Sequence, residues 1–389
     1  GQQTKIGATR DARYAYELGR MSNKEAAAIG CNLSFAPVSD ILYNWENPVI
    51  GLRTYGNDVD RVCEMTKAYM DGAHTNEGFC CAAKHFPGDG LDFRDQHVAD
   101  SVNDMSCEEW DASYGKVYQN LIDNGLEAIM AGHIMQPAYT RHFNPGIKDE
   151  DIMPATLSPE LIEGLLRGKL GFNGMVLTDA SHMVGLTCCM KRSEMLPHTI
   201  AAGVDMFLFF NEMDEDFASM MAGYENGIIT EERLNDALHR ILALKAHMGL
   251  HKKAKNEIVP PVEVMEQVVG CEEHKAMARE ISEKGITLVK YKDEDVLPMI
   301  PSRYKRIMIV SVSGLSAGVM GTMMAKYMGG GKKSPAERLR DKLIEKGFDA
   351  FIYESPLDAL AKRAAAGENL HGQGGRSPVG HCPEERPDL

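Results

Sequence analysis

The sequence lacks three features that mark other classes of protein. No apolar run reaches the ~18 residues of a membrane span, so the pattern argues against a membrane protein. An excess of positive charge is absent: 42 Lys and Arg stand against 56 Asp and Glu, for a net charge of −14, and this argues against a nucleic-acid partner, because phosphate binding needs clustered Lys and Arg. There is no C-x-x-C pair. The nine irregularly spaced cysteines predict reduced thiols in a cytoplasmic protein, without a disulfide framework or a zinc site.

The composition is that of an ordinary globular protein. Hydrophobic residues make up 44% of the chain and charged residues 25%. The length of 389 residues allows one large domain or two medium ones. The chain starts at Gly1 without a methionine, which is typical of a cut end, and a leader removed before it stays an open alternative.

Five short apolar runs each end on a polar side chain, and helical patterns separate them. The runs are 33–40 (LSFAPVSD), 80–85 (CCAAKH), 128–133 (AIMAGH), 174–179 (GMVLTD) and 205–211 (DMFLFFN). Such a rhythm is typical of parallel βα units with a site at the carboxyl ends of the strands. The sequence therefore predicts an α/β fold and indicates an enzyme.

Composition changes along the chain predict its domain organisation. Residues 1–250 contain the five runs and form the predicted catalytic domain. A charged stretch with paired prolines opens a predicted linker over 251–300. An apolar strand, a glycine-rich loop, a helix and a further strand predict the start of a second α/β domain over 301–366. The tail 367–389 is rich in Gly and Pro and has no apolar period, so it is predicted to be disordered.

The second run leads into two candidate site motifs. Lys84 and His85 stand at its end, where such a pair can also be no more than a capped strand end. The loop 88–104 follows, and its length predicts a mobile lid. Asp95 and His97 in this loop fit a solvated loop. They also fit a carboxylate that orients an imidazole, so that the ring can give and take a proton near neutral pH.

Asp179 is the third candidate, at the end of the fourth run. An aspartate in this position can be a helix N-cap. It can also be a nucleophile that attacks an anomeric carbon and forms a glycosyl-enzyme intermediate.

Taken together, these motifs resemble glycoside hydrolase family 3, in order and spacing, from about residue 10 to 250. The matching segments are 35–40 (FAPVSD), 47–56 (NPVIGLRTYG), 84–88 (KHFPG), Asp95-x-His97, 171–185 (GFNGMVLTDASHMVG) and 201–208 (AAGVDMFL). The Asp-x-His step resembles the β-N-acetylglucosaminidase branch of the family, since other branches take the acid/base from a separate domain.

The resemblance implies a fold and a set of roles. The fold is a (β/α)8 TIM-like barrel followed by an α/β sandwich, of which this chain is expected to hold only part of each, cut at both ends. The chemistry is retaining, exo-acting removal of terminal β-linked N-acetylglucosamine, with Asp179 as nucleophile, His97 as acid/base and Asp95 as its partner. The resemblance implies no cofactor and no metal. The residues expected to bind the carbohydrate substrate are Asp40, Arg53, Lys84, His85 and His133.

Two positions depart from the family pattern, and several alternative functions stay open. Asp89 stands where a histidine is common, and Ala180 stands where a second aspartate is frequent. The alternatives are a phosphorylase of the same substrates, a β-glucosidase, a non-catalytic sugar-binding remnant and a metal-dependent hydrolase. His247 and His251 have a ligand-like spacing, but a helix stop at Gly249 separates them, so they are interpreted as a solvated helix end. Neither the aglycone nor the oligomeric state follows from the sequence.

Overall fold

The structure is a computed structural model that describes residues 2–290, 297–311 and 333–353. The chain divides into two compact units, 1–287 and 288–389. In the first unit the helices are α1 (Gln3–Thr9), α2 (Ala12–Ala28), α3 (Val59–Ala73), α4 (Cys107–Trp110), α5 (Lys116–Asp123), α6 (Pro137–Phe143), α7 (Val184–Thr187), α8 (Arg192–Ala201), α9 (Met213–Glu225), α10 (Glu231–His247), α11 (Lys255–Ile258), α12 (Val262–Val268) and α13 (Glu272–Lys284). π-Helical segments cover Asp111–Gly115 and Glu160–Lys169, and short 3₁₀ turns cover Asp149–Asp151, Ala155–Leu157 and Leu250–Lys252.

The first unit is built on a five-stranded parallel sheet that curls into a half-barrel. The strands of this unit are β1 (Leu33–Ser34), β2 (Cys80–Phe86), β3 (Ser101–Val102), β4 (Ala128–Ala131), β5 (Ile134–Met135), β6 (Met175–Ala180) and β7 (Met206–Leu208). The order in the sheet is β1-β2-β4-β6-β7, and β3 pairs with β5 in a separate parallel ladder. The five predicted strands are therefore confirmed, in chain order, while the short β3–β5 ladder was not predicted.

The strands carry apolar side chains on both faces because both faces are covered. Alternate residues of β2 separate into two clusters: Cys81 and Ala83 pack toward the helices α2, α3 and α5, whereas Cys80 and Ala82 pack with Leu244 of α10. Parallel strands buried on both faces have continuous apolar runs rather than alternating ones. This is why the sequence pattern located the strands so directly.

Side-chain hydroxyls cap the first turns of two helical segments. The backbone NH of Leu161 donates to Ser158 Oγ over 3.3 Å, and that of Arg233 donates to Thr230 Oγ1 over 3.2 Å. Each hydroxyl satisfies one amide that the first helical turn leaves without a partner.

The segment predicted as a linker, 251–300, differs from that expectation over much of its length. It contains α11, α12 and α13, and α13 packs against α1 and α2. Two ion pairs fasten α13 to α2: Arg13 to Glu280 at 2.9 Å and Arg20 to Glu273 at 2.5 Å. Since Ile281 is also buried there, this part of the chain belongs to the first unit.

The described part of the second unit contains the predicted βαβ start. Strands β8 (Arg306–Ile309) and β9 (Asp349–Ile352) pair in parallel, and the helix α14 (Pro335–Glu345) precedes β9. The predicted glycine-rich loop at 329–331 and the predicted disordered tail 367–389 lie outside the described residues.

Two further findings concern the described residues as a set. None of their helices combines the length and the apolar character that crossing a bilayer would require. The eight cysteines among them are all free thiols.

Candidate active site

The predicted site residues on the sheet meet at one edge. The strands β2, β4 and β6 are adjacent and parallel, so the residues at their carboxyl ends lie side by side. His85 lies near the end of β2, His133 follows β4, and Asp179 lies at the end of β6. This is the edge at which parallel α/β enzymes have their active sites.

Asp179 is mostly buried, and one of its oxygens accepts a backbone hydrogen bond. Its side chain is 17% exposed, Oδ2 lies 3.6 Å from His85 Nε2, and Oδ1 accepts from the NH of Ala180 over 2.8 Å. Burial on its own would raise the pKa of this carboxyl. The neighbouring His85 ring, the hydrogen bond from Ala180 and the Lys84 ammonium outweigh burial, so the pKa lies below its ordinary value. Asp179 is therefore ionised at neutral pH.

Asp40 holds His85 in place from behind. Its Oδ2 lies 2.7 Å from His85 Nδ1, and Oδ1 accepts from the NH groups of His85 and Asp89 at 3.1 and 2.8 Å. Both side chains are buried. A carboxylate only accepts and a guanidinium only donates. Because Arg53 approaches Nε2 at 3.2 Å, the consistent assignment has the proton of His85 on Nδ1.

Lys84 and Arg53 add positive charge next to Asp179. Burial and the neighbouring Arg53 lower the pKa of Lys84, although Asp179 and Asp40 favour its charged form. Within the described residues, the Lys84 ammonium donates no hydrogen bond to another protein group, and its ring contact is with Phe35 at 6.0 Å. Its donors are therefore available to a ligand at this edge.

His133 is fully engaged by the protein. Nδ1 lies 3.0 Å from Thr156 Oγ1, and Nε2 lies 3.0 Å from the carbonyl of Ala180, next to Asp179. Burial lowers the pKa of His133 to about 4, so the ring is neutral at physiological pH. Since both ring nitrogens have partners, this histidine supports the backbone beside Asp179 rather than offering a free group to a ligand.

Asp95 and His97 form a pair of their own on the loop. Asp95 Oδ1 lies 2.6 Å from His97 Nδ1 and also accepts from the NH of His97 over 2.8 Å. The His97 side chain is 49% exposed. In the described chain this pair makes no hydrogen bond or ion pair with Asp179. The loop does reach the segment after β6, because Val184 NH donates to the carbonyl of His97 over 3.2 Å.

A buried polar network links the two parts of the site, and sequence reasoning missed most of it. Gln96 donates to Asp89 over 3.1 Å and accepts from the NH of His133 over 2.8 Å. Asn47 donates to the other oxygen of Asp89 over 2.9 Å. Burial and the charge of Asp40 raise the pKa of Asp89 to about 6. No local sequence signal marks Gln96, because it lies in an irregular loop and its two partners are 7 and 37 residues away along the chain.

The KHFPG motif owes its glycine to a close contact. Gly88 has a positive φ of 126°, and a Cβ at this position would lie 2.2 Å from Cδ1 of Tyr114. Tyr114 is fully buried and donates to the carbonyl of Asp89 over 2.7 Å. A side chain at residue 88 would therefore displace the start of the loop that carries Asp95 and His97.

A carboxylate kept ionised against its own burial, at the end of a barrel-type strand, is suited to attack on a sugar carbon. Glycoside hydrolases are a class of enzyme that uses such a carboxylate. Residues 2–244 match the model of the glycosyl hydrolase family 3 N terminal domain, and the chain belongs to that family.

Proteins of known name agree with this assignment. The chain is 41% identical to a protein of Cellulomonas fimi named beta-N-acetylglucosaminidase/beta-glucosidase, over 91% of this chain and 60% of that protein. It is 31% identical to a beta-hexosaminidase of Methylobacillus flagellatus, over 52% of this chain and 54% of that protein. The chain thus spans between about half and three fifths of these relatives.

The chain is also similar to two solved structures, whose titles name two different activities. A structure titled beta-glucoside phosphorylase BglX matches with a TM-score of 0.84 and 41% identity, over 92% of this chain and 62% of that one. A family 3 beta-N-acetylglucosaminidase from Paenibacillus sp. str. FPU-7 matches with a TM-score of 0.74 and 27% identity, over 94% and 66%.

Proposed function

We propose that this chain carries the catalytic site of a retaining, exo-acting glycosidase that removes terminal β-linked N-acetylglucosamine. The observation that carries the proposal is Asp179, ionised although mostly buried and pointing to the strand-end edge. In the proposed first step the carboxylate attacks the anomeric carbon, and the bond to the leaving oxygen breaks.

His97 is the proposed acid/base. Asp95 accepts from Nδ1, which leaves Nε2 to give its proton to the departing oxygen. In the second step the neutral ring takes a proton from water, which attacks the anomeric carbon and releases Asp179. The exposure of His97 suits this role, because the ring has to reach a leaving group and then a water molecule.

The other predicted residues divide into two proposed roles. Lys84 lies near Asp179 and Arg53 approaches His85 Nε2, and both are proposed to donate to sugar hydroxyls. Asp40 and His133 are buried and bonded within the protein, so we assign them to holding His85 and the Ala180 backbone in position. His85 stands between the two groups, with Nε2 at the edge of the site.

A phosphorylase of the same substrates is the second candidate. The relative titled beta-glucoside phosphorylase, at 41% identity, favours it. A neutral imidazole repels incoming phosphate less than a carboxylate base would, so phosphate could replace water in the second step. The products differ: hydrolysis gives the free sugar, and phosphorolysis gives the sugar 1-phosphate.

One assay separates these candidates. Aryl β-glycosides of N-acetylglucosamine, glucose and xylose are incubated with the chain, completed at both ends to the length of its relatives, with and without phosphate. The proposal predicts the highest kcat/KM on the N-acetylglucosaminide and free sugar as the product without phosphate. Turnover that strictly requires phosphate would show that the enzyme is a phosphorylase and not a hydrolase. A preference for the glucoside would show that the substrate is a β-glucoside and not a β-N-acetylglucosaminide. Sugar binding without turnover, with Asp179→Asn no worse than the parent, would indicate a binding remnant.

A further inference from the structure

A second cluster of reactive side chains lies at the opposite end of the sheet from Asp179. Cys80 is the first residue of β2, Glu127 directly precedes β4, and His247 is the last residue of α10. The thiol, carboxylate and imidazole donor atoms of these three residues all lie within 4.8 Å of one another. Since β2 covers six residue steps of about 3.3 Å, this cluster is roughly 20 Å from the candidate active site.

The cluster opens onto a cavity of about 460 Å³. Glu127 and His247 line it together with residues of α10 and the start of β6. The His247 side chain is 66% exposed and that of Glu127 is 12% exposed, whereas Cys80 is fully buried. A small solute can therefore reach Glu127 and His247 from solvent, whereas the Cys80 side chain is covered by protein.

Glu127 is already oriented for a further partner. Oε1 lies 2.8 Å from His74 Nε2, and Oε2 accepts from the NH of Cys81 over 3.1 Å. His247 Nε2 lies 4.0 Å from Oε1, too far for a hydrogen bond. A hydrogen bond between the Cys80 thiol and Glu127 accounts for the approach of that pair, whereas His247, at 4.0 Å, approaches Glu127 without a hydrogen bond to it.

The donor set identifies a ligand. Thiolate, imidazole and carboxylate are the groups that bind zinc, with bonds of about 2.0–2.3 Å in a tetrahedral arrangement. We propose that Cys80, Glu127 and His247 bind a divalent cation of the zinc type, and that His74 orients the carboxylate from behind. On binding, the cation displaces the thiol proton of Cys80 to solvent, and a water molecule takes the fourth position on the cavity side. The ion fastens the end of α10 to the sheet.

A second group of potential metal ligands is less suited to binding a cation. Cys271, Glu273 and His274 also lie within 4.8 Å of one another. There, however, Glu273 is paired with Arg20 at 2.5 Å and His274 with Glu25 at 2.6 Å. A cation would have to displace the guanidinium, so this cluster serves as the control.

The test is a cobalt titration of the full chain after dialysis against a chelator. One equivalent of Co²⁺ should give a tetrahedral ligand-field spectrum with a sulfur-to-cobalt charge-transfer band, and Zn²⁺ should abolish it. Cys80→Ser should remove the charge-transfer band. His247→Gln, an exposed position whose fold is checked by circular dichroism, should weaken binding more than ~10-fold. His74→Gln should weaken it by about 10–100-fold, as loss of an outer hydrogen-bonding partner does.

Matched control variants distinguish the proposed cation site from other possible binding positions. Cys271→Ser and His239→Gln, the latter a second histidine lining the same cavity, should leave the spectrum and affinity unchanged. The proposal is overturned if no equivalent of Co²⁺ binds, if the charge-transfer band survives Cys80→Ser, or if Cys271→Ser or a change at His97 removes it instead.

Discussion

Burial disfavours the charged form of the Asp89 carboxyl. The pKa of its carboxyl lies at about 6 in the fold, above the ordinary value of 3.8. Between these pH values the native state therefore binds more protons than the unfolded chain, and the free energy of unfolding falls as the pH rises. The fold tolerates the burial of this carboxyl because three donors, from Gly90, Asn47 and Gln96, form hydrogen bonds to its oxygens.

Asp89→Asn should flatten that dependence. The amide does not titrate, so the variant should lose less stability than the parent between pH 4 and 6, although at pH 7 it is destabilised by a poorer match to the three donors. Urea unfolding at a series of pH values measures both effects. Asp123→Asn, on the surface of α5, is the control. An unchanged slope in Asp89→Asn would contradict the assigned titration.

His97→Ala tests the proposed acid/base. Substrates with poor leaving groups need a proton on departure, so their kcat should fall by ~10²–10⁴-fold, whereas activated aryl glycosides should be slowed far less. Azide should partly restore the second step, because it attacks without help from a base. The comparison variant is His251→Ala, at an exposed position past α10. Equal losses on both substrate classes, with no effect of azide, would make His97 a structural or binding residue.

The candidate residues that sequence reasoning found all carry a local signal. Asp179, His85 and His133 follow apolar runs, and the chain order of those runs gives their neighbourhood. Gln96 and the Cys80, Glu127 and His247 cluster have no such signal. Their partners lie far away along the chain and meet only when strands, helices and loops pack together.

The loop 88–104 is largely irregular, and it carries the proposed acid/base His97 and its partner Asp95. The predicted lid motion stays a prediction. In the structure the loop is attached at two places. Near its end, Ser101 pairs with Ile134 in the β3–β5 ladder, and in its middle the NH groups of Gly185 and Val184 donate to the carbonyls of Gln96 and His97 over 3.0 and 3.2 Å. A lid that moves has to break the second contact and can keep the first.

Gly185→Ala tests whether that second contact places the loop. The new Cβ would lie 2.9 Å from the carbonyl oxygen of Gln96 and 3.1 Å from His133 Cβ, so the loop has to shift. A displacement of about 1 Å can cost up to ~10²-fold in rate, and kcat should fall accordingly while the fold is kept. Gly146→Ala is the control, because no atom lies within 4 Å of its new Cβ. Unchanged kcat in Gly185→Ala would show that the loop position does not matter.

For the helices between 255 and 284, the sequence pattern predicts a linker, whereas the structure shows helices, of which α13 packs against the first unit. Their sequence is strongly charged, and α13 has only His274 and Ile281 buried. A helix with so narrow an apolar face, following a charged proline-containing stretch, has the composition of a linker. The buried Ile281, together with ion pairs to α2, docks it.

For the whole molecule, the division at residue 287 leads to a truncation experiment. A chain ending at Thr287 retains α13 and should keep its Tm and its activity on small aryl substrates. A chain ending at 254 loses the ion pairs and the buried Ile281, and its Tm should fall by several degrees, since ~1 kcal/mol shifts Tm by about 2–4 °C at this size. Calorimetry measures the Tm of both truncated chains. The same two truncations are also made in the length-completed protein. Equal Tm values would show that α13 contributes nothing to stability.

The central claim is that Asp179 forms the covalent intermediate, and labelling with a slow fluorinated sugar tests it most directly. A 2-deoxy-2-fluoro glycoside with a good leaving group is reacted with the length-completed enzyme, which is then digested and mapped by mass spectrometry. The account predicts one label per chain, on Asp179, and none in Asp179→Asn folded to the same Tm. A label on any other residue, or an enzyme that turns over without labelling at Asp179, would contradict it.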